Sequence, residues 1–92
     1  MGFVYILQSE RSGRYYIGST ADLNRRLTEH NSGLGGIFSK NNKPWKLICY
    51  KSLVSISEAR SEEKKIKSYK GGNAFKKIIN GEVAEWSKAA RC

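Results

Sequence analysis

Two short apolar and aromatic runs, Val4-Tyr5-Ile6-Leu7 and Tyr15-Tyr16-Ile17-Gly18, flank a polar stretch from Gln8 to Arg14 that contains Gly13. β-Branched and aromatic residues favour pleated backbone, and a glycine between two such runs supplies a turn, so the pair predicts a β-hairpin. That hairpin constrains the fold more than any other feature. Its register stays open in the sequence, because a slip of one residue exchanges the two faces. Gly18 adds no packing inside a strand, so it marks a bulge or a close approach to another group.

The rest of the chain fills out around the hairpin. Residues 20–31 read as a helix, with Ser19 or Thr20 as cap, Asp22 in the first turn and Gly33 as stop. Residues 33–44 are rich in Gly, Asn, Ser and Lys and predict a basic loop. Residues 45–54 predict a third, well-covered strand. Ser55 and Glu58 form a capping-box pattern that opens a second helix reaching about Ser68. Gly71-Gly72 breaks the chain, and Phe75, Ile78 and Ile79 are spaced for a third helix over 73–80. The expected class is α+β: a three-stranded, largely antiparallel sheet flanked by helices, in the order β-β-α-β-α-α. The chain of 92 residues is enough for one domain, expected over 1–80. Residues 81–92 stand apart as a tail with one large anchor, Trp86. Two readings of it stand side by side. It is a disordered or accidental extension, of the kind made when a reading frame runs into a transfer-RNA gene, or a short helix docking Trp86.

Seventeen Lys and Arg oppose 8 Asp and Glu, a formal charge of +9. That excess favours a polyanionic partner, nucleic acid before membrane. Neither a charged-then-apolar leader nor a long apolar stretch is present, so a reducing cytoplasm is the expected location and no membrane association is expected. The two cysteines, Cys49 and Cys92, form no metal-binding pattern and are expected as free thiols.

Helical geometry then sorts the polar residues by face. On the first helix Leu23 and Leu27 set the apolar stripe, and Arg26 and His30 fall beside them within an arc roughly 100° wide. Arg25 and Glu29 fall on the solvent side. On the second helix Ile56, Ala59 and Ile66 set the stripe, and Glu63 lies within about 30° of its centre. A carboxylate there is costly unless a cation meets it. That cation is Lys67, one turn away, or a metal ion. Arg26, His30 and Glu63, with tyrosines from the hairpin (Tyr5, Tyr15 and Tyr16, any of which could also be a plain strand aromatic), suit phosphodiester cleavage. Arginine neutralises phosphate, a carboxylate holds a hard divalent cation, and tyrosine or histidine handles protons. The set suits acyl transfer poorly, since no nucleophile lies beside a base.

At these residues the chain resembles the GIY-YIG nuclease superfamily, which includes the amino-terminal nuclease of the excision-repair protein UvrC and phage homing endonucleases. The first half-motif stands here as Val4-Tyr5-Ile6 and the second as Tyr16-Ile17-Gly18. Arg26 follows Tyr16 by ten positions and His30 follows Arg26 by four, as in many members. The run from Glu58 through Glu63 to Lys67 resembles the helix that carries the family's metal-binding glutamate. The resemblance spans residues 3–79 and is closest to the small stand-alone bacterial members. Val4 departs from the glycine of the superfamily name, as in those small members. Many relatives carry a late asparagine, but Asn73 is spaced differently from Glu63 and is left outside the site.

The resemblance implies an endonuclease that hydrolyses DNA with one divalent cation, magnesium or manganese, held by Glu63 and water. Tyr16 would be the base, although a free phenol near pKa 10 needs help from the metal and Arg26 to ionise. Arg26 would bind the scissile phosphate, His30 would orient it or shuttle a proton, and Tyr5 would position Tyr16 or the phosphate. Lys40, Lys43, Lys46 and Lys67 are candidates for flanking phosphates, and Lys64-Lys65 and Lys76-Lys77 could add to them. Without a domain to read bases, low sequence specificity or a preference for single strands or structured DNA is expected, in repair, recombination or handling of foreign DNA. No obligate protein partner is evident. The alternatives are a catalytically idle nucleic-acid-binding module of the same fold and an RNA-directed activity.

Overall fold

The computed structural model describes residues 1–32, 41–69 and 71–88. Lys40, most of the expected basic loop and Cys92 lie outside the described residues.

The hairpin is present, with β1 over Gly2–Ser9 and β2 over Tyr15–Thr20. Tyr5 stands opposite Gly18 and Leu7 opposite Tyr16, which settles the register that the sequence left open. Gly13 turns the connection at φ 78°, a left-handed conformation that suits glycine. Ser9 Oγ accepts the backbone N–H groups of Arg11 and Ser12 there. Helix α1 (Leu23–Ser32) follows, then β3 (Trp45–Leu53), α2 (Ile56–Lys67), α3 (Asn73–Ile79) and a two-residue strand β4 (Ser87–Lys88). The sheet order is β2-β1-β3-β4, every pair antiparallel, with a register shift between Ile6 and Leu7 where β1 meets β3.

β1 is central and covered on both faces, so its alternate residues feed two cores. Val4 and Ile6 join Cys49, Ile66, Phe75, Ile78 and Trp86, beneath α2 and α3. Tyr5 and Leu7 join Trp45, with Leu23 and Leu27 of α1 packed against them. Each large apolar side chain so buried is worth about 1.5–3 kcal/mol. Cys49 is a reduced thiol within the first core.

Three differences from the sequence expectation have simple causes. Helix α1 begins at Leu23 because Asp22, not Ser19 or Thr20, caps it: Asp22 Oδ1 accepts the Arg25 N–H at 3.1 Å. Thr20 instead holds the Asp22 N–H in the turn before the helix. The sheet gains a fourth strand because residues 87–88 pair with β3 opposite Tyr50 and Cys49. Trp86 is docked as one reading of the tail expected, but by a turn and a strand rather than a helix. Ser55 does cap α2, accepting the Glu58 N–H at 3.2 Å.

Candidate active site

The site grows from three elements. β1 brings Tyr5, which is 1% exposed. β2 brings Tyr16, half-buried, whose ring stacks on Tyr5 with centroids 6.4 Å apart and planes 20° off parallel. α1 brings Arg26 and His30 on the side that meets the sheet. His30 is fully buried; its Nε2 lies 3.1 Å from the Tyr5 hydroxyl, and its ring meets Tyr16 edge-on at 4.6 Å. Trp45 closes the far side against both Tyr16 and His30. Asn31, in the last turn of α1, clamps Trp45 in place: its amide donates to the Trp45 carbonyl at 3.1 Å and its oxygen accepts the Trp45 N–H.

Gly18 has a steric reason to be glycine. A Cβ at that position would lie 2.5 Å from the Tyr5 hydroxyl oxygen and 2.7 Å from Tyr5 Cζ. The phenol of β1 lies across its β2 partner and occupies the space a side chain would need, an aromatic covering a strand glycine.

Burial pushes the Tyr5 phenol up to about 12, and the neighbouring Tyr16 and Glu63 push the same way against the hydrogen bond from Arg26. Burial and then the Arg26 charge hold His30 below its ordinary value, so at neutral pH the ring is uncharged. The Tyr5 hydroxyl and Nε2 of this neutral imidazole share one hydrogen bond, whose direction the ring tautomer sets. Arg26 lies near enough to Tyr5 to act on the phenol as a hydrogen-bond donor and as a charge. The hydrogen bond to Tyr5 is the largest influence that keeps Arg26 firmly protonated, and Glu29 adds to it. Arg26, Tyr5 and His30 are thus electrostatically linked, with Tyr5 and His30 directly bonded.

Sequence geometry turned Glu29 to solvent, but it is half-buried and accepts from both arginines, Arg25 at 3.2 Å and Arg26 at 3.1 Å. The side chain of each arginine is long enough to reach back over the helix, which an angular count around the axis ignores. The Nε–H of Arg26 is sheltered and lacks an acceptor among the described residues. A donor in that state costs about 1–3 kcal/mol, and an acceptor such as a phosphate oxygen would satisfy it.

Glu63 approaches from α2. Its Oε1 accepts from Ser19 Oγ at 2.6 Å, and its Oε2 lies 2.6 Å from Lys67 Nζ. It is near enough to Tyr5 to act on that phenol electrostatically. Among the described residues no group of three His, Cys, Asp or Glu is gathered as a metal cage. A half-buried carboxylate already facing a cation fits a single-carboxylate metal site completed by water and phosphate oxygens. Beside Ser19 and Arg26 runs an open groove of about 480 Å³, lined also by Asp22, Arg25, Glu29 and Arg60. Arg60 projects from α2, exposed and in no ion pair with an acid among the described residues. Lys43 is exposed and Lys46 half-buried on β3 beside Trp45. Sequence reasoning passed over Ser19, Glu29, Trp45 and Arg60. Only Ser19 carried a signal, since it follows Gly18 and alternates onto the face that meets α2.

The family model for the GIY-YIG catalytic domain matches residues 1–89. The chain belongs to the GIY-YIG family. Membership carries a nuclease-type function and DNA as the class of substrate, and family nucleases use divalent metal ions. Curated relatives are small stand-alone proteins. A UPF0213 protein of Streptococcus pneumoniae serotype 4 is 43% identical over 68 residues, 74% of this chain and 68% of that one. A UPF0213 protein of Staphylococcus epidermidis is 34% identical over 79 residues, 86% of this chain and 95% of that one. The solution structure of the UPF0213 protein BH0048 from Bacillus halodurans matches with a TM-score of 0.50 and 29% identity, over 89% of this chain and 85% of that one. The α+β fold of this GIY-YIG chain is therefore shared with a solved relative. No helix of the described residues is long and apolar enough to cross a membrane.

Proposed function

We propose that this GIY-YIG chain is a DNA endonuclease in which Tyr16 is the general base, Arg26 the phosphate-binding group and Glu63 the metal ligand. The observation that carries this reading is the packing of Tyr16 and His30 around one buried phenol, Tyr5, with Glu63 tied to Ser19 of the same strand as Tyr16 and the charges of Arg26 and Glu63 near enough to act on that phenol. Tyr5 is locked between Arg26 and His30, holds its proton up to about 12 and is closed to water, so it positions rather than reacts. Tyr16, on the edge strand and half-buried, is the tyrosine that water can reach. It takes the proton of the attacking water as its own hydroxyl proton passes to solvent; the water oxygen forms a bond to phosphorus as the bond to the leaving sugar oxygen breaks, and that oxygen takes up a proton from solvent. Arg26 offsets the extra negative charge on the phosphoryl oxygens. His30 holds Tyr5 and, edge-on, the ring of Tyr16. Glu63 would hold one magnesium or manganese ion, which when bound supplies further positive charge beside the phosphate.

The groove beside Ser19 and Arg26 is the path for the strand, with Arg60 as its flanking phosphate contact and Lys43 and Lys46 farther off. One such site cuts one strand, and the reading assigns none of its described residues to base edges, so low sequence specificity is expected. The test is incubation of labelled single- and double-stranded oligonucleotides with magnesium or manganese, beside chelator, Glu63→Ala and Arg26→Ala. Cleavage by wild type alone, with DNA binding kept in Glu63→Ala, supports the assignment. Binding without cleavage under every metal overturns it in favour of an idle binding module.

A further inference from the structure

Both carboxylate oxygens of Glu63 are engaged by groups of this chain, and the two groups differ in kind. Ser19 Oγ donates to Oε1 at 2.6 Å, from the strand that also carries Tyr16. A neutral hydroxyl can keep that bond whatever the other oxygen holds. Lys67 Nζ sits 2.6 Å from Oε2 and belongs to the same helix, one turn on. Its side chain is 56% exposed, so its charged tip has solvent to move into. An ammonium and a divalent cation cannot share the same lone pairs at that distance.

Resting on the reading of Glu63 as the metal ligand, we propose that Ser19 is the residue that positions this carboxylate and that Lys67 is a built-in counter-ion for it. Lys67 holds Oε2 until a divalent cation arrives, then leaves it and turns to a DNA phosphate. Two consequences follow from charge balance. The free protein keeps its carboxylate neutralised, so metal binds more weakly than the bare carboxylate would allow. DNA, by giving the displaced ammonium an anion, tightens the metal, and by reciprocity metal tightens DNA.

The readout is manganese affinity of the full chain, measured by loss of the free-ion paramagnetic resonance signal. Lys67→Met is expected to bind manganese about two- to fivefold tighter than wild type, the range that a part-exposed ion pair allows. Lys64→Met, which removes the same charge one turn away from an exposed position, is expected to do less than half of that. Ser19→Ala is expected to bind about threefold weaker or worse, with Ser19→Thr restoring affinity because the hydroxyl returns. In a Tyr16→Phe background, which leaves the strand uncut, a saturating oligonucleotide is expected to tighten manganese more with Lys67 present than in Lys67→Met. Equal affinities for Lys67→Met and Lys64→Met overturn the counter-ion role. Equal affinities for Ser19→Ala and wild type overturn the positioning role. If Glu63→Ala binds manganese as wild type does, the metal-ligand reading falls, and this proposal with it.

Discussion

Replacing Gly18 by alanine adds one methyl group against a tyrosine that has nowhere to go. The new Cβ would need about 0.9 Å more room to move from 2.5 Å to the 3.4 Å of ordinary contact with the Tyr5 hydroxyl oxygen. Tyr5 is 1% exposed and bonded to His30 at 3.1 Å, so a shift of that size breaks the bond or splays β1 from β2. Two effects oppose each other. Alanine stiffens the unfolded chain and favours strand by about 0.5–1 kcal/mol. Overpacking a buried site costs about 1–3 kcal/mol, and loss of a buried hydrogen bond adds about 1 kcal/mol. The cost wins, by about 1–3 kcal/mol. With a urea slope near 1 kcal/mol/M for a chain this small, the unfolding midpoint is expected to fall by about 1–3 M. Circular dichroism in urea measures it. The clash also has a partner, which gives a sharper test. In a Tyr5→Leu background the phenol is gone and only the 3.1 Å approach to Tyr16 Cε1 remains, so Gly18→Ala is expected to cost far less, with a coupling of about 1 kcal/mol or more between the two sites. An unchanged midpoint for Gly18→Ala, or equal costs in both backgrounds, would refute the steric account.

Stability should also report the two buried titrating groups. Tyr5 holds its proton to about 12 in the fold and releases it near 10 when unfolded, so between those values the unfolded state is favoured. Stability is expected to fall as pH rises above 10, by up to about 2–3 kcal/mol, and Tyr5→Phe should abolish that slope in urea titrations. His30 is held below 6.5, so stability is expected to fall as pH drops below 6.5, when the unfolded chain takes up the proton first; a flat acid limb refutes it. Trp86→Ala is expected to cost about 3–5 kcal/mol in the same assay because the ring closes one core; a cost under about 0.5 kcal/mol would return the tail to an appendage. Arg60→Ala is expected to reduce the log-log salt slope of binding by about 0.9 on duplex or 0.7 on single-stranded DNA. Arg14→Ala, on the hairpin turn, should leave that slope unchanged, and equal effects of the two would remove the groove as the strand's path.

Much of this site can be read from periodicity, and the remainder is hidden for physical reasons. The inward face of α1 follows from Leu23 and Leu27, because a helix fixes the angle of Arg26 and His30 relative to them. Glu63 follows in the same way from Ala59 and Ile66. Angles say where a Cβ points, and they fail where a long side chain folds back. That is why Glu29 was assigned to solvent although it binds Arg25 and Arg26. Ser19, the partner of Glu63, is 44 residues away in sequence, and Asn31 reaches Trp45 across the connection between α1 and β3. Such pairings depend on the register of β1 with β2, which alternation alone leaves degenerate by one residue. Trp86 stands out as a lone anchor, but the strand that follows it has two residues, too short for any period to register.

The hairpin that dominates the sequence holds two tyrosines that alternation cannot rank, and the sheet order ranks them. β1 is interior, paired on both edges, and Tyr5 is 1% exposed, bonded at its hydroxyl to His30 and acted on by the Arg26 charge. A group so held cannot approach a water molecule, and its proton is fixed well beyond neutral pH. β2 is an edge strand, so Tyr16 is packed by Tyr5, His30 and Trp45 yet keeps a route to solvent. Gly18 belongs to the same division of labour. Its missing side chain is the space occupied by the Tyr5 phenol, so the glycine of the second half-motif serves the tyrosine of the first. The two half-motifs are then one steric unit, and neither keeps its meaning if the other changes.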